Sequence, residues 1–338
     1  VARYLLRRLG QSVFVVAGVL VLVFVILHLT GDPAVMLLPP GSSEQDVAQV
    51  RRQYGLDKPL YVQLIRFFVG DRIGPSAPRS STVGLTGYGS GPVQTQLRPV
   101  RGALFGDFGD SIRFTNQPAM PIVLERFPLT LQLMLAAAAY STILSLLLGT
   151  VSALRPYSLT DQVVRIFAVL NQSVPNFWLA LLLILVFAVS LGVLPAMGYG
   201  GWRTLVLPAI TLGSQSLGRN TRLVRSSVLE VLSQDYVRTA RAKGLPAFFV
   251  VARHVLKNAM IPVTTIWGLD VGVLFGGAVI TESIFGWPGT GRLIVESVTF
   301  RDFPTVEAAV FFIALVFIVV NTLVDLSYVW LDPRVRLD

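Results

Sequence analysis

The sequence predicts an all-α integral membrane protein with six spans, both termini cytoplasmic, and a long extracytoplasmic segment between spans one and two. Three observations carry this. Only 14% of the 338 residues are charged and 53% are hydrophobic, with a mean hydropathy of +0.65, whereas soluble domains carry about 25% charged residues. Six apolar stretches, at about 10–29, 127–153, 164–191, 205–226, 259–284 and 307–330, approach the ~20 helical residues needed to cross the hydrocarbon. Finally, Lys and Arg are unevenly distributed. With the N-terminus inside, the inner segments hold fifteen of them, while the two short outer loops hold only Arg203, Arg292 and Arg301. Such a bias orients a membrane protein. The net charge of +9 is therefore read as topology rather than as a nucleic-acid surface.

The first element, within 1–29, places Arg3, Arg7 and Arg8 before an apolar core. That core exceeds the 7–15 residues of a signal-peptide h-region and lacks a small-residue cleavage site, so it reads as a retained span. Residues 30–126 follow outside. Within them, Ser43 with Asp46 makes a capping-box-like start to a helix. Gly55 suits its C-terminal stop, and Pro59 opens a second helix. Residues 74–94, "GPSAPRSSTVGLTGYGSGPVQ", form a Gly/Ser/Pro-rich loop.

The remaining five spans occupy 127–338. The third contains Pro175 and the fourth Pro208, which membrane helices tolerate where neighbouring groups re-satisfy the backbone. Between spans four and five lies a cytoplasmic segment, 230–258, centred on "DYVRTARAKGL". Ser233 or Asp235 is expected to cap a helix running to Lys243. Gly244 then supplies a left-handed stop, and Pro246 restarts a helix. A helix of barely two turns is marginal in water by itself. A solvated loop whose charge only sets topology would explain the basic residues. The helix–Gly–x–Pro–helix construction and Tyr236 favour a docking surface for a soluble cytoplasmic partner.

Span five carries Gly268, Gly272 and Gly276 at four-residue spacing, a smooth stripe for close approach of one helix. Asp270 lies about 200° around from Gly268, at ~100° per residue. It faces something other than that helix, and lipid is costly for a carboxylate. It either lines a translocation path or is held by an interhelical hydrogen bond. Asn171, Gln172 and Ser173, just before Pro175, are further pathway candidates. Asn321 and Asp325 read as packing residues beside Tyr328, and His28 as a buried or interfacial histidine. "GWPGTGRL" has the Gly-x4-Gly spacing of a phosphate loop but continues Arg292-Leu293 where Lys and Ser/Thr are required. The chain thus has no nucleotide site of its own. Without Cys and with only two His, it also lacks a thiolate metal site and the constellation of an intramembrane hydrolase.

Several of these stretches together resemble the permeases of ABC importers, in the dipeptide/oligopeptide/nickel branch. They are "GDPAVMLL" (31–38), "YGLDKPLYVQ" (54–63), "GDFGDSIR" (106–113), "SVPNFWLALLLIL" (173–185), "DYVRTARAKGL" followed by "HVLKNAMIP", "TESIFGWPGTGRL" (281–293) and "NTLVDLSYVWLDPRVR" (321–336). They cover nearly the whole chain in family order and are nearest to the first permease subunit of dipeptide importers. The resemblance implies a type I ABC importer transmembrane domain in the bacterial inner membrane. It implies as partners a paralogous permease, two ATPase subunits that carry ATP and Mg, and an extracytoplasmic peptide-binding protein. Carried over by position, Asp235, Tyr236, Arg238, Thr239, Ala240, Arg241, Ala242, Lys243, Gly244 and Leu245 would form the coupling helix that docks on the ATPase. Arg238 stands where the general pattern has Glu, and Lys257 where it has Pro; both suit the peptide branch. Dipeptides or short oligopeptides are the expected cargo. An ion-driven secondary transporter is the alternative, but it calls for paired intramembrane acids or broken helices at the midplane, and Asp270 alone does not meet this. The insertion at about 72–105 is long for the family and is expected to help receive the binding protein.

Overall fold

The computed structural model describes residues 2–30, 43–54, 56–70, 100–114 and 117–331. Expectations for Gly55, for 31–38 and for the Gly/Ser/Pro-rich stretch 74–94 lie outside these residues, as do those for the side chains of Asp325 and Tyr328. The main helices are α1 (Ala2–Thr30), α2 (Glu44–Tyr54), α3 (Leu60–Val69), α4 (Ala119–Leu154), α5 (Leu159–Ser173), α6 (Asn176–Leu183), α7 (Trp202–Leu232), α8 (Asp235–Ala242), α9 (Lys257–Phe285), α10 (Thr290–Thr299) and α11 (Phe303–Leu331). The chain divides into two compact units: residues 2–127 with 293–316, and residues 128–292 with those from 317 onward.

In the first of these units, Leu20 of α1, Ala119, Ile122 and Val123 of α4, and Ala308 and Ala309 of α11 are buried together with Phe108. Ser43 and Asp46 form the expected reciprocal cap of α2, with Ser43 Oγ donating to Asp46 Oδ2 at 2.7 Å and accepting from Asp46 N at 3.3 Å. Pro59 is the N-cap of α3. His28 is half-buried, hydrogen bonded to Phe24 O at 2.8 Å and to Gln63 Oε1 at 3.2 Å. Segment 100–114 is tied to the loop before α11 by buried Asp302, which accepts from Ser111 Oγ and from Ile112 N at 3.0 Å, and also from Thr305 Oγ1 at 2.7 Å.

In the second unit, α7 is the central helix, packed against α4, α5 and α9. It comes close because it presents glycine at the crossings: a Cβ on Gly213 would meet Ala137 O at 2.6 Å, and one on Gly218 would meet Ala168 O at 2.5 Å. The glycines of span five are split. Gly268 packs on Val324 and Gly272 on Phe317, both in α11, while nothing lies within 4 Å of a Cβ at Gly276. The stripe therefore contacts one helix over two of its three positions.

Among the described residues, four helical stretches are long and apolar enough to cross a membrane: Gly10–Leu29, one within Ala119–Leu154, Ile266–Phe285 and Phe303–Val324. The expected third span is not one straight helix. α5 and α6, the latter continued by the π-helical Ile184–Ser190, meet at 107°; taken as one bent span they give a fifth crossing. The cause is local. The proline ring at 175 pushes Val174 out of the helical region, to φ −80° and ψ 125°, and removes a backbone donor. α7 runs beyond the expected end at 226 to Leu232, and Gln215, Asn220 and its arginines make it more polar than the other spans.

Candidate functional site: the exposed face of α8 and the polar cluster beside its core

The segment between α7 and α9 forms the expected short helix with two corrections at its start and end. Ser233 is still helical (φ −82°, ψ −10°) and donates its hydroxyl to Glu230 O at 2.7 Å. Gln234 is the extended N-cap and gives no side-chain cap, so neither Ser233 nor Asp235 fills that role. Asp235 is instead the first helical residue, favourably placed at the positive end of the helix dipole. The helix ends at Ala242 rather than Lys243. Gly244 has φ +74°, a conformation costly for residues with a Cβ, and its N–H donates to Arg241 O at 2.9 Å. Pro246 caps the next helical run: Ala247–Phe249, then the π-helical Val250–Leu256, then α9.

Tertiary packing supplies the stability that two helical turns lack. Val237 and Ala240, three apart and so on one face, are buried against Ala153 of α4, Val224 and Val228 of α7, and Val250, Val255 and Ala259 beyond the turn. Leu245 packs on the same cluster. The opposite face is exposed: Asp235, Arg238, Thr239, Arg241, Ala242 and Lys243, with Tyr236 44% exposed. Phe248, just past the Gly-x-Pro turn, is 84% exposed. Its place after the Gly-x-Pro turn, in an otherwise helical run, is the only signal the sequence offers for it.

A second group was not legible in the sequence. Asp161 of α5 is fully buried and accepts Arg225 Nε at 2.7 Å, Arg225 Nη2 at 2.9 Å, Ser152 Oγ at 2.5 Å and Tyr157 N at 2.9 Å. This bidentate pair joins α4, α5 and α7 beside Ala153 and Val224, two residues of the core that seats α8. Ser158 caps α5 by accepting from Asp161 N at 3.2 Å; that local Ser-x-x-Asp pattern was the one available cue.

Asp270 is buried on the side of α9 that faces α7, away from the Gly268 and Gly272 contacts. It is ion-paired with Arg219 and accepts Asn220 Nδ2 at 2.7 Å, so an interhelical contact holds it. Of the other candidates, Gln172 accepts Arg222 Nη2 at 2.5 Å, Ser173 donates to Val169 O at 2.9 Å, and Asn171 is half-buried. Asn321 donates to Phe317 O at 3.0 Å within α11. In the phosphate-loop look-alike, Glu282 is buried and accepts Arg292 N at 3.0 Å. An internal carboxylate thus sits where a phosphate would.

Comparison with known proteins places this arrangement. The family of binding-protein-dependent transport system inner membrane components matches residues 145–337, and its N-terminal component matches 1–89. The chain belongs to this family. Among its relatives are the glutathione transport system permease protein GsiC of Salmonella paratyphi A, 37% identical over 98% of both chains, and that of Escherichia coli K12, 36% identical over the same shares. The fold is that of the inward-facing MetNI methionine ABC transporter, with a TM-score of 0.53 over 63% of this chain and 97% of that one at 16% identity. The chain is therefore an ABC-importer permease of the peptide branch, a multi-pass inner-membrane protein. That family works with ATPases, a second permease and a binding protein.

Proposed function

We propose that this permease forms a translocation path with a paralogous permease, and that 235–245 is the coupling helix through which two cytoplasmic ATPase subunits drive it. A binding protein delivers the cargo, a dipeptide or short oligopeptide; the name of the GsiC relatives adds glutathione, itself a small peptide. ATP and Mg belong to the partner subunits. Six spans with both termini cytoplasmic put α8 on the ATPase side, and the insertion at 72–105 on the side that receives the binding protein.

One observation carries this reading: α8 is seated by the buried Val237 and Ala240, yet leaves Tyr236, Arg238, Arg241 and Lys243 exposed, with Phe248 exposed just past the turn. Exposed aromatic and arginine side chains are the residue types enriched at interface centres, and a basic loop that only set topology would not need them on a helix with a buried face. Coupling further requires that the partner bind this face differently in its two states, since equal affinity shifts no equilibrium. The chain lacks cysteine, so Ala242→Cys introduces a single thiol. In the assembled complex it is expected to cross-link to the ATPase subunit, with a yield that changes when ATP is bound. A thiol at 242 that reacts freely with bulk reagents and never with the ATPase would overturn the proposal.

A further inference from the structure

The exposed residues of α7 differ in kind from those of α4. From Leu133 to Leu154, every exposed residue of α4 is apolar: Leu135, Ala139, Ile143, Leu147, Val151 and Leu154. Between Thr204 and Leu229 of α7 the exposed residues are Gln215, Arg222 and Ser226, all polar, with Arg219 partly exposed among them. At ~100° per residue these four fall within an arc of about 60° over three turns. The opposite side of α7 is buried from Leu207 to Val228, so the stripe is the helix's only open side. Acyl chains are a poor neighbour for two guanidiniums and an amide, so the stripe calls for a polar neighbour: a water-filled path, the inner membrane surface or a protein face.

The charges on this stripe are not balanced. Arg219 is neutralised by Asp270, which Asn220 also holds. Arg222 contacts the Oε1 of Gln172, a neutral group, and keeps its charge. Gln172 comes from the end of α5, immediately before the bend at Pro175. The amide fixes one edge of the Arg222 guanidinium and leaves the rest of its donor fork open. A planar fork of this kind matches a carboxylate.

We propose that the α7 stripe lines the water-filled path of the permease, and that Arg222, oriented by Gln172, is a contact for the carboxylate of the passing solute. The inference rests on the permease reading but not on the docking role of α8. It gives the peptide cargo a recognition chemistry: a free carboxylate is held by Arg222, while the Arg219–Asp270 pair fixes the wall behind it.

The test uses single-thiol variants of the full complex in liposomes, with the anionic reagent sulfonatoethyl methanethiosulfonate and its trimethylammonium counterpart. Gln215→Cys and Ser226→Cys, about 16 Å apart along the helix at 1.5 Å per residue, are both expected to react, and Leu135→Cys on α4 is not. At Ser226→Cys the anionic reagent is expected to be favoured. Adding Arg222→Gln should lower the anionic-to-cationic rate ratio roughly tenfold, the order expected for losing one nearby charge in a partly aqueous site. Millimolar alanylalanine should slow labelling of Gln215→Cys more than its C-terminal amide does. Reaction at 226 alone would mean that Arg222 reaches lipid phosphates at the membrane surface. Protection of both positions, with cross-linking to the second permease, would mean that a protein face covers the stripe. Equal effects of the acid and the amide, or none, would remove the carboxylate contact. Each of these outcomes overturns the proposal, and none of them bears on whether 242 cross-links to the ATPase.

Discussion

Asp161 shows how much a single buried charge decides in this permease. Its two oxygens take an arginine fork, a serine hydroxyl and a backbone N–H, so every strong acceptor site is used. Removing one partner of such a pair strands the other's charge and typically costs about 3–5 kcal/mol. Asp161→Asn is therefore expected to lower the thermal unfolding midpoint in detergent markedly. The double variant Asp161→Asn with Arg225→Gln should recover part of the loss, because the only cation that then loses its partner is the half-exposed Arg165, which water can solvate. A single variant as stable as the wild type would show that the pair does not hold the α4–α5–α7 junction. Glu282 offers a second case. A Cβ at Gly289 would collide with its carboxylate, so Gly289→Ala should destabilise the α9–α10 turn, whereas the same change at Gly276, where nothing lies within 4 Å, should be tolerated by this chain.

At the scale of elements, α8 is braced by its buried face and closed by the left-handed turn at Gly244. Gly244 has space around it, but its φ of +74° costs a β-branched residue roughly 1–2 kcal/mol. Gly244→Val is expected to raise amide exchange across 235–245 while leaving α7 protected; uniform protection would show that the turn tolerates the side chain. Much of this element was legible in the sequence, because Gly244, Pro246 and the Val237/Ala240 spacing act through local backbone and helix geometry. Its cap was not, since whether Ser233 ends one helix or starts the next depends on where α7 stops. The Asp161–Arg225 pair was hidden for a different reason: the two residues are 64 positions apart, and periodicity carries no information at that range. The bend at Pro175 sits between these cases. The proline was visible, but membrane helices keep prolines such as Pro128, Pro208 and Pro262 inside continuous helices, so the residue type alone did not decide between a kinked span and a broken one. Asp270 was placed correctly off the glycine stripe by helical angle, yet its partners on α7 required the structure.

For the molecule as a whole, one core connects the features that matter. The cluster that seats α8 contains residues from α4, α7 and the run leading into α9, so a displacement of α8 acts on three helices at once. The same α7 carries the polar stripe of Gln215, Arg222 and Ser226 on its open side. The proposed docking face and the polar stripe thus belong to one continuous helix–turn–helix segment, the arrangement the proposal needs if closure of the ATPases is to change access to the path. The central claim is that this segment transmits ATPase closure, and ATP hydrolysis by the purified complex tests it most directly. It would be measured with and without the extracytoplasmic binding protein, comparing wild type with the Arg241→Glu, Gly244→Pro double variant after confirming membrane insertion. Loss of binding-protein stimulation in the variant, with the ATPases still present in the wild-type complex, is the predicted result. Hydrolysis by the variant that still rises normally with binding protein would contradict the account.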